Sequence, residues 1–348
     1  MSVLSTLTPT LQARRELTAE EMTSAADDLA SPAVADADKE AFLVALAQKG
    51  ETAAEIAALA AAFRARAIDP RVEAWAGHAI DVVGTGGDHA GGFNISSLVT
   101  LVLASGGVTV MKHGNRGVTS RCGSADLLAG LGVNLEATPE QVRRALTELG
   151  YAFFFAPAWH PAFRAIGPTR KALAARGQRT VFNFLGPLIN PGRPAHTLLG
   201  VATAGMVEKM ALALNALGVG AGLVVHGVIS AERGIDELTV ATPNHVRGVG
   251  RVKTLNEEWL PAQFGFPPAP FSDLVGGDLA ANLALTDAVL AGRAPAGLTN
   301  TIVFNAAAGL WLTGKAASVR DGIEPARELL LGGAVARKIA ATREFYGK

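Results

Sequence analysis

The chain of 348 residues is 49% hydrophobic and 18% charged with 39 glycines, a composition of the α/β type with room for one large or two smaller domains. Lys+Arg and Asp+Glu balance at 31 each, which removes a global basic field for nucleic acid, and the single cysteine, Cys122, removes a disulfide framework or cysteine-based zinc cluster. No apolar run reaches bilayer length and the N-terminus lacks a secretory pattern, so a cytoplasmic enzyme without membrane partners is expected.

Residues 1 to about 70 read as helices. Thr18-Ala-Glu-Glu21 and Thr52-Ala-Ala-Glu55 are capping boxes, and Ile56, Leu59, Ala60 and Phe63 recur at helical spacing. Such Ala-rich helices bury little surface each, so they need a partner, either the rest of the chain or a second subunit. Asp69-Pro70 marks a linker. From about residue 78, apolar strands alternate with helices. Strands are expected at Ile80–Val83, Val108–Met111, Tyr151–Phe155, Leu198–Val201, Leu223–His226 and Leu238–Ala241. Helices are expected at Ser97–Ser105, Ser124–Leu131, Pro139–Leu149 and Met206–Leu217. The fold class is therefore α/β, a largely parallel central sheet with helices on both faces. Residues 160 to about 190 depart from the alternation, with Pro161, Pro168, Pro187 and Pro191 breaking short helices. They are assigned to the small helical domain of residues 1–70, leaving 78–348 as the large α/β domain. The C-terminal part reads as helices at Leu279–Ala291, Thr299–Leu312 and Ile323–Phe345.

Four stations carry chemistry. The turn Gly84-Thr85-Gly86-Gly87-Asp88 follows a strand, and Asn94-Ile95-Ser96-Ser97 opens the next helix. Glycines let backbone N–H groups converge, and the helix start adds unpaired donors, so the pair suits an oxyanion. His89 breaks the dinucleotide fingerprint, and no Gly-Lys-Ser/Thr follows to make a Walker loop. The second station is Lys112-His113-Gly114-Asn115-Arg116-Gly117-Val118-Thr119-Ser120, directly after a strand. That edge of an open α/β sheet is where ligands bind, and Lys112 suits a point-charge contact to phosphate. Ser124, at the start of the following helix, can donate to the same group. The third is Asp236-Glu237, adjacent carboxylates able to hold Mg²⁺ that shares its remaining ligands with substrate phosphates. The fourth is Arg170, whose fork can hold a planar carboxylate.

With these motifs in this order, the chain resembles the anthranilate phosphoribosyltransferases of tryptophan biosynthesis. GTGGD, NISS, KHGNR, GSADLLAGLGV, FNFLGPLINP, GIDEL and VFNAAAGLWLTGKA carry the resemblance across nearly the whole sequence. It implies a homodimer formed through the helical domain, with substrates between the two domains. The implied reaction transfers phosphoribose from 5-phosphoribosyl-1-pyrophosphate (PRPP) to the amine of anthranilate, with Mg²⁺, two ions per subunit. On this resemblance Gly84, Gly87, Asp88, Asn94, Ile95, Ser96, Ser97, Lys112 and Ser124 surround PRPP, and the loop from Lys112 to Ser120 closes over it. Ser96, Asp236 and Glu237 take the metal. Gly84, Asn115, His160, Arg170, Gly186 and Pro187 contact anthranilate, Arg170 through the carboxylate. No obligatory acid or base is implied, because the aromatic amine is a neutral nucleophile; Lys112 and the metal stabilise the departing charge. The chain departs from the family pattern at Gly92, where a Thr is usual, at Gly117, where a Ser is usual, and in a longer loop at Val228–Arg233. Two other readings stand beside this one: a different aromatic amine acceptor, and a non-catalytic relative that binds nucleic acid, against which the zero net charge argues.

Overall fold

Local chemistry fixes the first helices. In the computed structural model, which describes residues 2–88, 90–117, 121–230 and 233–347, both Thr capping boxes form. The helices are α1 (Val3–Gln12), α2 (Ala19–Ala30), α3 (Asp36–Lys49) and α4 (Ala53–Ala65), followed by the single turn α5 (Glu73–Ala76). The box residue Glu55 does more than cap. It is buried, accepts from Leu17 N–H at 2.9 Å, and pairs with Lys49 at 2.8 Å, so one carboxylate ties three helical segments together.

The large unit begins with β1 (Ile80–Gly84), α6 (Ile95–Ser105), β2 (Val110–Gly114), α7 (Ser124–Gly130), α8 (Pro139–Glu148) and β3 (Tyr151–Phe155). A short α9 (Ala156–Trp159) leads to the proline-broken stretch, whose one α-helix is α10 (Gly167–Ala175). The chain re-enters the sheet with β4 (His196–Gly200), α11 (Met206–Ala216), β5 (Ala221–Val228), the two-residue β6 (Gly234–Ile235), β7 (Asn244–Gly250) and β8 (Asn256–Trp259). It ends in α12 (Leu279–Leu290), α13 (Ala296–Leu312), α14 (Val319–Leu331) and α15 (Ala334–Tyr346).

Strand order is β3-β2-β1-β4-β5-β7-β8, with β6 on β5. The first five are parallel; β6 and β7 each pair antiparallel with β5, and β8 pairs antiparallel with β7. The chain leaves β1 toward β2 and β3 on one side, then resumes at β4 on the other. The crevice beyond the carboxyl ends of β1 and β4 is therefore the switch point where ligands bind in such sheets.

The N-terminal helices pack on the rest of this chain. Thr169 on α10 donates to Asp36 at 3.0 Å, Lys39 donates to the Ala165 carbonyl at 2.9 Å, and Arg176 pairs with Glu40 at 2.6 Å. Phe63 of α4 stacks on Phe163 with centroids 4.9 Å apart, and Phe182 meets both edge-on. One apolar core accordingly joins α1–α4, residues 163–189 and α11.

Three expectations need correction. Residues 238–241 form no strand, because side chains take their backbone donors. Leu238 N–H goes to Asn305, Thr239 N–H to Asn244, Val240 N–H to Thr301 and Ala241 N–H to the Thr239 hydroxyl. The second strand lies two or three residues later than expected, at Val110–Gly114, so Lys112 and His113 belong to β2 rather than to a loop. The last helical run is two helices, parted by Gly332 and by Gly333 at φ +82°.

Asn305 on α13 is fully buried and grips Leu238 at both ends of its peptide, accepting from N–H at 3.2 Å and donating to C=O at 2.7 Å. Asn305→Leu is expected to leave both unpaired and cost about 2–4 kcal/mol, measured by urea unfolding. An unchanged midpoint would contradict that account.

Candidate active site

The carboxyl ends of β1 and β4 finish on Gly84 and Gly200, which are direct neighbours across the strands. A Cβ on either would overlap Asp236. The two bare positions thus open the seat into which the chain drops Asp236 after β6. There its carboxylate accepts from Gly86 N–H at 2.7 Å and hydrogen-bonds the Asp88 carboxyl. Glu237 accepts from Ser96 N–H at the start of α6. Removal from water, and then the neighbouring negative charge, push both Asp236 and Glu237 well above the usual carboxylate range. Lys112 is the buried counter-charge. Its Nζ donates to the Val82 carbonyl at 2.6 Å and to Ser96 Oγ at 3.1 Å, and burial lowers its pKa despite the carboxylates around it.

This donor set fits Mg²⁺. It is all oxygen, from Ser96, Asp236 and Glu237, and with Asp88 beside it the site crowds negative charge that Lys112 offsets in part. Among the described residues no three His, Cys, Asp or Glu side chains converge as a closed metal cage. That agrees with an ion that keeps waters and takes further ligands from phosphate.

A second layer lies behind Lys112. Asp81 is buried, which pushes its carboxyl up to about 6. It accepts from His113 N–H at 3.2 Å and from the Asn190 amide at 2.8 Å, and Asn190 also donates to the Met111 carbonyl. The phosphate-side strand and the Gly186–Asn190 segment are fixed to one another by this carboxylate.

On the far side of the cleft, His113 Nδ1 lies 3.1 Å from the Gly186 carbonyl and His113 Nε2 lies 3.2 Å from His160 Nε2. A carbonyl only accepts, so His113 carries its proton on Nδ1 and receives one from His160 Nε2. His160 Nδ1 is then a bare acceptor, buried and without a partner among the described residues. Burial holds His113 well below the usual imidazole range and His160 at about 4, so both are neutral. The Arg170 guanidinium lies against the rings of Phe163 and Phe182, 5.9 and 5.4 Å from their centroids.

Apart from the buried layer of Asp81 and Asn190, these groups face a cleft of about 1020 Å³. Gly84, Gly87, Asp88, Asn94, Ser96, Lys112, His113, Gly114, Asn115, Arg116, Gly117, Ser124, His160, Arg170, Gly186, Pro187, Asp236 and Glu237 all line it. Ile95 and Ser97 do not. Both are fully buried, in a helix whose residues 95–104 are all buried. Val118, Thr119 and Ser120 lie outside the described residues. Asp126 pins the two ends of that loop, accepting from Gly117 N–H at 3.1 Å and Gly123 N–H at 2.9 Å. Sequence reading missed Arg164, Arg179, Phe163 and Phe182 on the helical side, and Val275 to Gly277 on the other. The last three approach through an isolated bridge between Val275 and Gly92. A Cβ at Gly92 would meet only ordinary contacts, so the missing Thr hydroxyl reflects no steric bar.

The chain is similar to known proteins over most of its length. Residues 76–336 match the model of the glycosyl transferase family a/b domain, and residues 6–67 match that of its helical bundle domain. The chain is 44% identical over 322 residues to an anthranilate phosphoribosyltransferase of Chloroflexus aurantiacus, covering 92% of each. It is 43% identical over 293 residues to one of Deinococcus radiodurans, covering 84% of each. The crystal structure of the enzyme from Thermus thermophilus superposes with a TM-score of 0.89 at 39% identity, covering 100% of both chains. A Saccharomyces cerevisiae structure in complex with PRPP and Mg shares the fold, with a TM-score of 0.83 at 24% identity over 99% of this chain and 98% of that one. The chain belongs to this glycosyl transferase family and, within it, to the group of the anthranilate phosphoribosyltransferases.

Proposed function

We propose that the protein transfers phosphoribose from PRPP to the amine of anthranilate, releasing pyrophosphate, the second step of tryptophan biosynthesis from chorismate. The observation that carries this reading is one cleft holding a glycine turn with carboxylates at its floor and a ring-backed guanidinium opposite. Asp88, Asn94, Ser96, Lys112, Ser124 and the backbone of Gly84, Gly87, Ile95 and Ser97 bind PRPP, under the loop from Lys112 to Ser120. Ser96, Asp236 and Glu237 hold magnesium, two ions per subunit. When bound, magnesium supplies charge neutralisation for the departing pyrophosphate.

The remaining work is orientation. Arg170 steers the anthranilate carboxylate from its place on Phe163 and Phe182, and Asn115, Gly186 and Pro187 flank the ring. His160, on the cleft wall beside His113, helps to place the acceptor. No group there needs to be a strong base, since proton loss from nitrogen follows bond formation. Holding the two reactants in line supplies a large share of the rate. On the family resemblance we also assign a small helical domain of residues 1–70 joined by 160–190, dimerisation through it, and a cytoplasmic location. Among the described residues no helix is long and apolar enough to cross a membrane.

Mixing the protein with PRPP, Mg²⁺ and anthranilate is expected to quench anthranilate fluorescence; no loss at millimolar substrate would refute the reaction. Arg170→Ala is expected to raise the anthranilate KM about 10- to 100-fold, the worth of a charged hydrogen bond, with the PRPP KM little changed. Asp236→Asn combined with Glu237→Gln is expected to abolish turnover and Mg²⁺ dependence together, and retained activity would remove them as ligands. The depressed pKa of His160 has a stability consequence. Between pH 6.5 and about 4 the unfolded chain binds a proton there that the folded chain refuses, so stability falls as pH falls through that window. His160→Gln is expected to flatten the acid limb of the melting-temperature profile, by roughly 3 kcal/mol at most; an unchanged limb would contradict the neutral pair.

A further inference from the structure

Residues 177–180 run from the end of α10 toward the turn at Val181–Asn183 and bring Arg179 to the cleft. Its Nη2 lies 3.6 Å from the position that a Cβ on Gly87 would take, and Gly87 itself holds φ +75°. A cation carried by the helical side thus reaches the middle of the glycine turn carried by the sheet. The peptides on either side of it are pinned. The Arg179 carbonyl accepts from the Gln178 amide at 2.8 Å, and Thr180 N–H donates to Asn183 at 2.8 Å. The guanidinium, by contrast, has no hydrogen-bond or ion-pair partner among the described residues. Among the other cleft arginines, Arg116 pairs with Asp126 at 2.7 Å and Arg170 lies on two aromatic rings; Arg121 and Arg164 line the cleft as well, but it is Arg179 that is set against Gly87 in the glycine turn. A fixed backbone presenting a free fork over bare N–H groups is a site for a bidentate oxyanion.

We propose that Arg179 is a catalytic residue of the transfer, gripping the pyrophosphate of PRPP above Gly87 and stabilising it as it departs. In that step the C1–O bond breaks with its electron pair passing to the pyrophosphate oxygen. The amine lone pair forms the C1–N bond, and the amine proton passes to water. The oxygen that gains charge is the group that the Arg179 fork faces, so the contact strengthens as the bond breaks. The proposal rests on the placement of PRPP at the glycine turn given above. It assigns the two sides of the cleft different arginines: Arg170 for the acceptor, Arg179 for the leaving group.

The test compares wild type, Arg179→Ala and Arg179→Lys in steady-state kinetics, with inorganic pyrophosphate as product inhibitor and melting temperature as the folding control. Arg179 is exposed, so all three are expected to melt alike. For Arg179→Ala the PRPP KM and the pyrophosphate inhibition constant are expected to rise together, about 10- to 100-fold. The anthranilate KM stays within about twofold, and Arg179→Lys recovers part of the loss, since it keeps charge without the fork. Unchanged PRPP and pyrophosphate constants would overturn the proposal. So would a rise confined to the anthranilate KM, which would make Arg179 a ligand of the acceptor. If wild type itself consumed no anthranilate, the transferase reading would fail instead. Calorimetric titration of magnesium pyrophosphate into wild type and Arg179→Ala then decides the Arg179 contact independently, equal affinities refuting it.

Discussion

Asp236 can sit where it does only because two adjacent strands end without side chains. Gly84 and Gly200 leave a notch at the one place where the sheet's connectivity reverses, and a carboxylate fills it. Everything else at the floor of the cleft is arranged around that intrusion. Glu237 follows into the reach of Ser96 N–H, Asp88 leans on Asp236, and Lys112 is drawn under the start of α6. Packing acids together at partial burial is costly by itself. It becomes favourable once a divalent cation and a polyphosphate share the space, so the floor is built for the loaded enzyme. The strain is absorbed one layer back, where Asn305, Thr301 and Asn244 satisfy the backbone that follows the acidic pair.

The two walls of the cleft use opposite physics. The sheet side presents backbone donors and carboxylates on rigid strand ends. The helical side presents aromatic faces with arginines lying on or beside them, from a segment of short turns. Asp81 and Asn190 bolt the walls together behind the reacting groups. Acceptor placement is therefore referenced to the same strand that carries Lys112, rather than to a free loop.

Much of this was legible in the sequence. Capping chemistry located α2, α4 and α8, the apolar run before a glycine turn located β1, and the charged residues Lys112, Asp236 and Glu237 line the cleft, as does Arg170, which the family resemblance singled out. What escaped had reasons in tertiary structure. The alternation at Leu238–Ala241 looks like a strand, but its hydrogen bonds go to side chains more than sixty residues away or across a tight turn. The reverse error hid β7, where Asn244, His245, Arg247 and two glycines leave no apolar run, and β8, whose Glu257 and Glu258 suit an exposed edge. Ile95 and Ser97 are fully buried because α6 is enclosed on every side, which no local pattern at its start reveals. Arg179 gave no local signal, since only the fold carries it to a glycine almost a hundred positions earlier.

The helical unit's core is completed only when residues 163–189 fold back onto α1–α4. A ribosome making this chain therefore releases four short helices long before their packing surface exists. Three strands of the sheet must be synthesised while that apolar face waits. The protein matures from both ends of an excursion at once, and its N-terminal quarter is no module that can be cut free and expected to stand alone.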